Sequence, residues 1–437
     1  MSSCTVQATN YLGWKAEQIA NRWVKLEIVP QIGGRLMQVT FGGHDYLYIN
    51  AAAKGKVIPL NTTERGDHNY GGDKIWPMPE GNNDEQHWAQ GGMQPLDMGP
   101  YKLEVISHGA KCGVRMTGLP NPLTTGQRYI REISIGGDSP VISFRNTMEN
   151  TSGFPQTWSE QTITEYPTTT DPEGMTPNQH LWSVTEMNPK SAYPNGYQIA
   201  TGPRQNDAYS VSDGNLRVHW NNISQEVWID SPTGWLASVD GSTGYTMVER
   251  HHIDTDREYP GKATIIFYSA GGRAPRPGQA PGQAQAQPQQ RAPGPFIEEE
   301  VNSPMVELAP GESYTLDTQW YPTRMGEDFK TTTYAGVIGT PLTAAATPAG
   351  LVLSGSFGVF YAGDLVAHYY SRGSEGGTAK LASVTPLEPV QLQTTVQAPP
   401  GTSRVSVHLV DAQGLDRGPL GEVLVNPPPP RSPPRQQ

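Results

Sequence analysis

Apolar and polar residues alternate along most of this chain. Between Trp23 and Val29, Val24, Leu26 and Ile28 fall on one side and Lys25 and Glu27 on the other. That two-residue period belongs to a half-buried β-strand. Pro30 and the Gly33-Gly34 pair break the run, and Leu36 to Tyr48 reads as a hairpin about Gly42-Gly43. Similar runs recur at 101–107, 113–119, 129–135, 141–149, 216–220, 226–229, 235–239, 245–249 and 263–268. Helical periodicity is not sustained anywhere, and Ala51-Ala52-Ala53 is one turn at most. The chain is therefore expected to be all-β.

Two stretches depart from this pattern. Residues 270–295 are almost wholly Gly, Pro, Gln, Ala and Arg. With no large aliphatic side chain they cannot build a core, so they are expected to be a disordered insertion between paired strands. After about Thr323 the strands become shorter. Residues 326–348, ending in a Thr/Ala/Pro-rich stretch, are expected to be a linker. Residues 349–426 then carry strand signals at 351–360, 365–370, 390–396, 404–410 and 421–425, the spacing of a small β-sandwich. Residues 427–437 form a proline-rich tail, expected to be disordered and suited to polyproline recognition by a protein partner.

Composition narrows the function. The 437 residues include 48 Gly and 40 Pro, and only 17% are charged, which fits a turn-rich fold. Ten Trp and 19 Tyr supply ample core material. A net charge of −11 argues against nucleic acid or anionic lipid as a partner. No apolar run reaches the length of a membrane span. No secretory leader is legible at the start, although the low Lys content and the many Trp, Asn, Gln and Thr point to an extracytoplasmic protein, periplasmic or secreted. The two cysteines, Cys4 and Cys112, could pair or stay free.

The densest chemistry lies in His68-Asn69-Tyr70-Gly71-Gly72-Asp73-Lys74-Ile75-Trp76-Pro77-Met78-Pro79. A glycine pair with unusual backbone freedom, followed by two prolines, reads as a rigid loop. It would present Asn69, Asp73, Lys74 and Trp76, with Trp88 continuing the pattern. An indole beside hydrogen-bonding side chains suits a pyranose, whose C–H face stacks while its hydroxyls are bonded. The competing reading is a structural loop with a core Trp and a surface ion pair. Arg250-His251-His252-Ile253-Asp254-Thr255-Asp256 is the most metal-like run, but its spacing matches no established motif, so no metal and no cofactor are assigned. A Gly-x-Ser-x-Gly elbow and a phosphate loop are both absent.

Several pieces in order resemble an uncharacterised family of the galactose-mutarotase-like superfamily. They are Pro30 with Gly33-Gly34-Arg35, the Gly71–Pro79 segment, Pro95-Leu96-Asp97, Trp158, Gly234-Trp235, Tyr259-Pro260, the acidic strand Glu298, Glu300, Ser303, Pro304, and Leu308, Pro310, Gly311, Glu312. The resemblance covers about residues 10–325. It implies a β-supersandwich over residues 1–325, with a sugar cleft on the concave face of one sheet and the small β-sandwich appended. It also implies that Lys74, Trp76, Trp158, Arg250 and a late-strand Glu line that cleft, with Glu160 nearby. Epimerases of the superfamily use a late-strand Glu as base and a His as acid. Strand alternation puts Glu298 and Glu300 on one face and Glu299 on the other, whereas an epimerase-like register would select Glu299. The matching place for the acid, 150–160, holds no His; His68, His251 or His252 would have to replace it. Three functions follow as expectations: carbohydrate binding, a sugar-active enzyme of epimerase or lyase type using Glu300 or Glu299 with His68, and a non-catalytic envelope or assembly protein that self-associates or binds a partner through its C-terminal domain and tail.

Overall fold

The structure is a computed structural model that describes residues 3–59, 69–80, 87, 95–121, 126–171, 176–271 and 294–425. His68, Trp88, most of the 270–295 insertion and the proline-rich tail lie outside the described residues. The chain divides into two compact units, residues 1–322 and 323–437.

The first unit is built on two large antiparallel sheets. Among the described residues twelve strands form one sheet and ten the other. The centre of the larger sheet runs Arg35–Phe41, Asp73–Met78, Gln156–Pro167, Phe296–Asn302, Ile265–Ser269 and Gln225–Ile229. The strands flanking the insertion, Ile265–Ser269 and Phe296–Asn302, pair directly with each other, as expected. The smaller sheet includes Gln127–Gly136, Leu181–Glu186 and Tyr245–His251. Among the described residues helical structure is confined to single turns such as Ala51–Ala53 and Pro95–Met98. Cys4 and Cys112 form a disulfide.

The face between the sheets is mostly apolar, with Ile133, Val227, Ile265, Phe267, Ile297 and Val301 all almost fully buried. It also carries polar ties that cross from sheet to sheet. The Arg131 guanidinium pairs with Asp73 and donates to the carbonyl oxygens of Gly34 and Asp73 at 3.0 and 3.1 Å. The Tyr166 hydroxyl donates to Glu249 at 2.8 Å, and the Ser183 hydroxyl donates to Glu299 at 2.7 Å. Buried polar groups require such partners.

The 68–79 segment differs from the loop expected of it. Gly71 and Gly72 take φ of 88° and 78°. A Cβ on Gly71 would lie 2.2 Å from the Tyr48 carbonyl oxygen, so this close approach requires glycine. Asp73–Met78 then enters the sheet as an interior strand. Its ladder to Arg35–Phe41 is a single pair, Leu36 with Asp73. Over the rest of its length that side is an edge, which accommodates Pro77 without a lost ladder bond.

The second unit packs a five-stranded against a four-stranded sheet. Phe357, Val359, Leu365, Ala367, Tyr369, Val405 and Val407 form its core. The expected linker over 326–348 contains three short strands, Thr331–Thr332, Gly336–Ile338 and Thr343–Thr347. Gly336–Ile338 and Thr343–Thr347 both pair with Gly350–Val359. Thr and Ala suit an edge strand whose outer face is solvated, and composition alone made that edge look like a connector.

Replacing Arg131 with Met should strand the Asp73 carboxylate between the sheets. The expected loss is about 3–5 kcal/mol of unfolding free energy, read from urea denaturation. The double variant Arg131→Met/Asp73→Leu should recover most of it.

Candidate functional site

The register of the large sheet decides which side chains meet. One row across it is Lys74, Ile163, Glu300, Ile266 and Trp228. The next is Glu165, Glu298, Tyr268 and Glu226. Directly paired residues on antiparallel strands share a face, so both rows face away from the smaller sheet. Lys74, Glu165, Glu298 and Glu300 are all buried nonetheless.

At the centre, the Lys74 ammonium bonds Glu165 at 2.9 Å and Glu298 at 3.0 Å. Asn69 donates to the other Glu165 oxygen at 2.7 Å. Burial opposes the Lys74 charge, but the two carboxylates outweigh it and hold the ammonium above its usual range. Trp76, one turn of the pleat along, is half-buried. Its indole N–H donates to Asp97 at 2.9 Å, and Lys74 lies 4.3 Å from its ring centroid, a cation–π contact. Asp97 in turn is held by Arg35 at 2.8 Å.

Further carboxyls surround the triad. Gln161 donates to Glu300 at 2.6 Å. Burial first, and then the neighbouring Glu298, Glu226 and Glu80, push the Glu300 carboxyl far above the normal range. Glu80 is raised to about 8 by burial and by Glu226 and Glu298. Glu226, bonded by the Trp228 indole, is raised by burial. The site therefore holds one ammonium, acidic side chains paired to it, and further carboxyls whose affinity for a proton burial raises. Such a set can offer both hydrogen-bond donors and acceptors to hydroxyl groups, and a proton to a reacting oxygen.

Several residues expected here lie elsewhere. Asp73 is on the opposite face of its strand, paired with Arg131 between the sheets. Glu299 also faces the inter-sheet core, bonded by Ser183 and close to Glu249. The epimerase-like register is thus not the one adopted, because the strand places Glu298 and Glu300 outward. Trp158 and Glu160 are fully buried on the inner side of their strand. The Trp158 indole bonds Gln156, and both Glu160 carboxyl oxygens lack a partner. Arg250 belongs to the smaller sheet, where neighbouring Glu249 points inward and Arg250 away. Asn69, Lys74, Trp76, Glu298 and Glu300 are the expected residues that come together. Glu165, Glu226 and Glu80 complete the site without having been expected; the strands that bring them together are joined by pairing across long stretches of chain, which leaves no local signal. His251 is buried with neither ring nitrogen bonded, and burial lowers its pKa to about 3. Among the described residues its run brings no set of three ligands within reach of one ion.

A separate cavity of about 200 Å³ opens between the sheets, lined by His44, Tyr46, Tyr166, Asp240 and Tyr245 among others. His44 and Tyr245 stack there with ring centroids 4.5 Å apart. It shares no lining residue with the Lys74 cluster.

No family model matches the sequence, and no curated protein matches it. Solved structures do resemble the fold. A galactose mutarotase-like protein from Clostridium acetobutylicum aligns over 74% of this chain and 100% of its own, with a TM-score of 0.44 and 10% identity. A galactose mutarotase-like protein from Lactobacillus casei aligns over 70% and 99%, with a TM-score of 0.43 and 10% identity. A TPR-domain containing protein from Parabacteroides distasonis aligns over 71% of this chain and 47% of its own, with a TM-score of 0.41 and 14% identity. The chain spans about half the length of that last protein.

The protonated buried carboxyls make stability depend on pH. Glu249 is pushed from 4.5 up to about 8 by burial. Between those values the folded state keeps a proton that the unfolded chain has lost. Stability is therefore greatest below about pH 4.5 and falls as pH rises toward 8, by up to about 1.4 kcal/mol per pH unit for each such group. Urea midpoints should decline across this window, and Glu249→Gln should make the decline shallower.

Proposed function

We propose that the outward face of the large sheet, centred on Lys74, binds a carbohydrate. The observation that carries this reading is the joining of Lys74, Glu165 and Glu298 in one buried ion triad beside Trp76, with the Glu300 carboxyl, raised by burial and by its acidic neighbours, next to it. Hydroxyl-rich ligands need fixed donors and acceptors close together, set against an apolar wall. Trp76, Trp228 and Ile266 would supply the wall. Lys74, Glu298, Glu300 and Gln161 would supply the polar contacts. The likeness of the sequence segments to the galactose-mutarotase-like superfamily implies a late-strand Glu in a sugar cleft; Glu298 and Glu300 sit on this face, whereas Glu299, which an epimerase-like register would select, faces the core. The Cys4–Cys112 disulfide supports an oxidising, extracytoplasmic setting.

A second reading, a sugar-active enzyme, is favoured by the raised Glu300 and Glu80 carboxyls. A carboxyl that holds its proton at neutral pH can act as a general acid, and a neighbouring carboxylate can act as base. This would replace the missing epimerase His with Glu chemistry.

Calorimetric titration against neutral, acidic and amino monosaccharides and their oligomers tests the first reading. Binding should appear for at least one class and weaken at least about tenfold in Glu300→Gln and in Trp76→Phe. Silence across all classes with folded protein would end it. Polarimetry on freshly dissolved galactose and glucose separates the two readings. No acceleration is expected, and turnover lost in Glu300→Gln would establish the enzyme instead.

A further inference from the structure

The C-terminal unit carries a side-chain cluster unrelated to the Lys74 face. His368 lies on Gly363–Ser371 and His408 on Arg404–Asp411, neighbouring strands of the four-stranded sheet. On the first strand Leu365, Ala367 and Tyr369 point into the core, and on the second Val405, Val407 and Leu409 do so. Alternation therefore puts both histidines on the outer face. Register pairs His368 with Ser406 and Val366 with His408, so the imidazoles are diagonal neighbours. Their ring centroids are 4.4 Å apart. Asp416, on the next strand, reaches the same place. One ligand atom from each of His368, His408 and Asp416 lies within 4.8 Å of the others.

The surroundings orient these groups. Glu375 sits 3.3 Å from the His368 Nδ1, Asp416 sits 2.8 Å from the His408 Nδ1, and Ser406 lies 3.0 Å from the His408 Nε2. On His368 the Glu375 carboxylate makes Nδ1 the donor and leaves the lone pair on Nε2, the arrangement that second-shell carboxylates impose on metal-binding histidines. The His368 Nε2 is buried and has no hydrogen-bond partner. An orphaned imidazole nitrogen beside a second imidazole and a carboxylate is unfavourable unless something supplies an acceptor for its lone pair.

We propose that His368, His408 and Asp416 bind a divalent transition-metal ion of the zinc class. Two imidazoles and one carboxylate suit zinc, copper or nickel, whereas calcium and magnesium require sets dominated by oxygen. Three protein ligands leave a further coordination position for water or for an exogenous donor. Glu375 and Ser406 act as positioning residues. The site clasps three adjacent strands, so occupancy should stiffen the exposed face of the sheet.

The test uses the full chain, free of any histidine tag and stripped with chelator. Calorimetric titration with Zn²⁺ should give one ion per chain, and Co²⁺ should give a visible absorption band that Zn²⁺ displaces. His368→Asn/His408→Asn should weaken Zn²⁺ at least about 100-fold, and Asp416→Asn at least about tenfold. His108→Asn, an exposed histidine elsewhere, should change nothing. Glu375→Gln should retain the site with weaker affinity. Zn²⁺ should also raise the thermal midpoint of the parent and leave that of the double histidine variant unmoved. Absence of Zn²⁺ binding, or binding undiminished in the folded double variant, overturns the proposal and leaves cross-strand ion pairs as the cluster's whole role.

Discussion

The Lys74 ammonium is the point on which the large sheet turns. A buried cation is tolerated only when carboxylates and hydrogen bonds replace its lost water. Here the replacements come from Gln156–Pro167 and Phe296–Asn302, strands separated from Lys74 by about 90 and 220 positions in sequence. A one-residue slip in either strand would turn Glu165 or Glu298 to the opposite face and leave the ammonium unpaired. The triad therefore penalises wrong registers steeply, on a face that also carries Gln161, Glu226 and Glu300. Asp97, which the Arg35 guanidinium holds, ties the adjacent Trp76 indole to the same network.

The inner face of the same sheet meets the opposite electrostatic demand. Glu160, Glu249 and Glu299 are buried between the sheets with few cations near them, and burial raises the pKa of all three, that of Glu249 to about 8. Only Asp73 has a guanidinium in direct contact among these inner acids, and that contact crosses from one sheet to the other. One sheet thus sorts its acids by strand parity. Outward acids gather round an ammonium and around one another, whereas inward acids either pair with Arg131, as Asp73 does, or have their pKa raised by burial. Neutral inner carboxyls cost less to bury than ions but still demand hydrogen bonds, which Tyr166 and Ser183 provide to Glu249 and Glu299.

The two units place chemistry differently. In the first, the candidate site is assembled from four central strands and is largely shielded. In the second, the His368–His408 pair rests on the outside of a small sheet whose inner face packs residues such as Leu365, Ala367, Val405 and Val407. Neighbouring strands set that pair through register alone, so a short hairpin-rich unit can carry a ligand set without disturbing its core.

Much of this was legible in the chain. Alternation announced the strands, Gly71-Gly72 announced a backbone that only glycine tolerates, and the absence of helical period excluded helical architecture. Alternation also separated Glu298 and Glu300 from Glu299, because parity along one strand is a local property. Which parity faced outward was not local. It depended on which strand lay beside Phe296–Asn302 and where the second sheet packed, and so Asp73, Trp158 and Glu160 turned out to be interior residues. The same holds for Glu165 and Glu226, ordinary acids in sequence that became part of one cluster only when distant strands paired. Residues 343–347 read as a connector because an edge strand with a solvated face lacks the apolar run that marks a buried one. The sequence by itself determined many of the strands, though not those over 73–78 and 343–347, and the alternation by which neighbouring residues of a strand fall on opposite faces. Tertiary pairing alone decided which sides met, because burial and ion pairing are settled between strands and not within them.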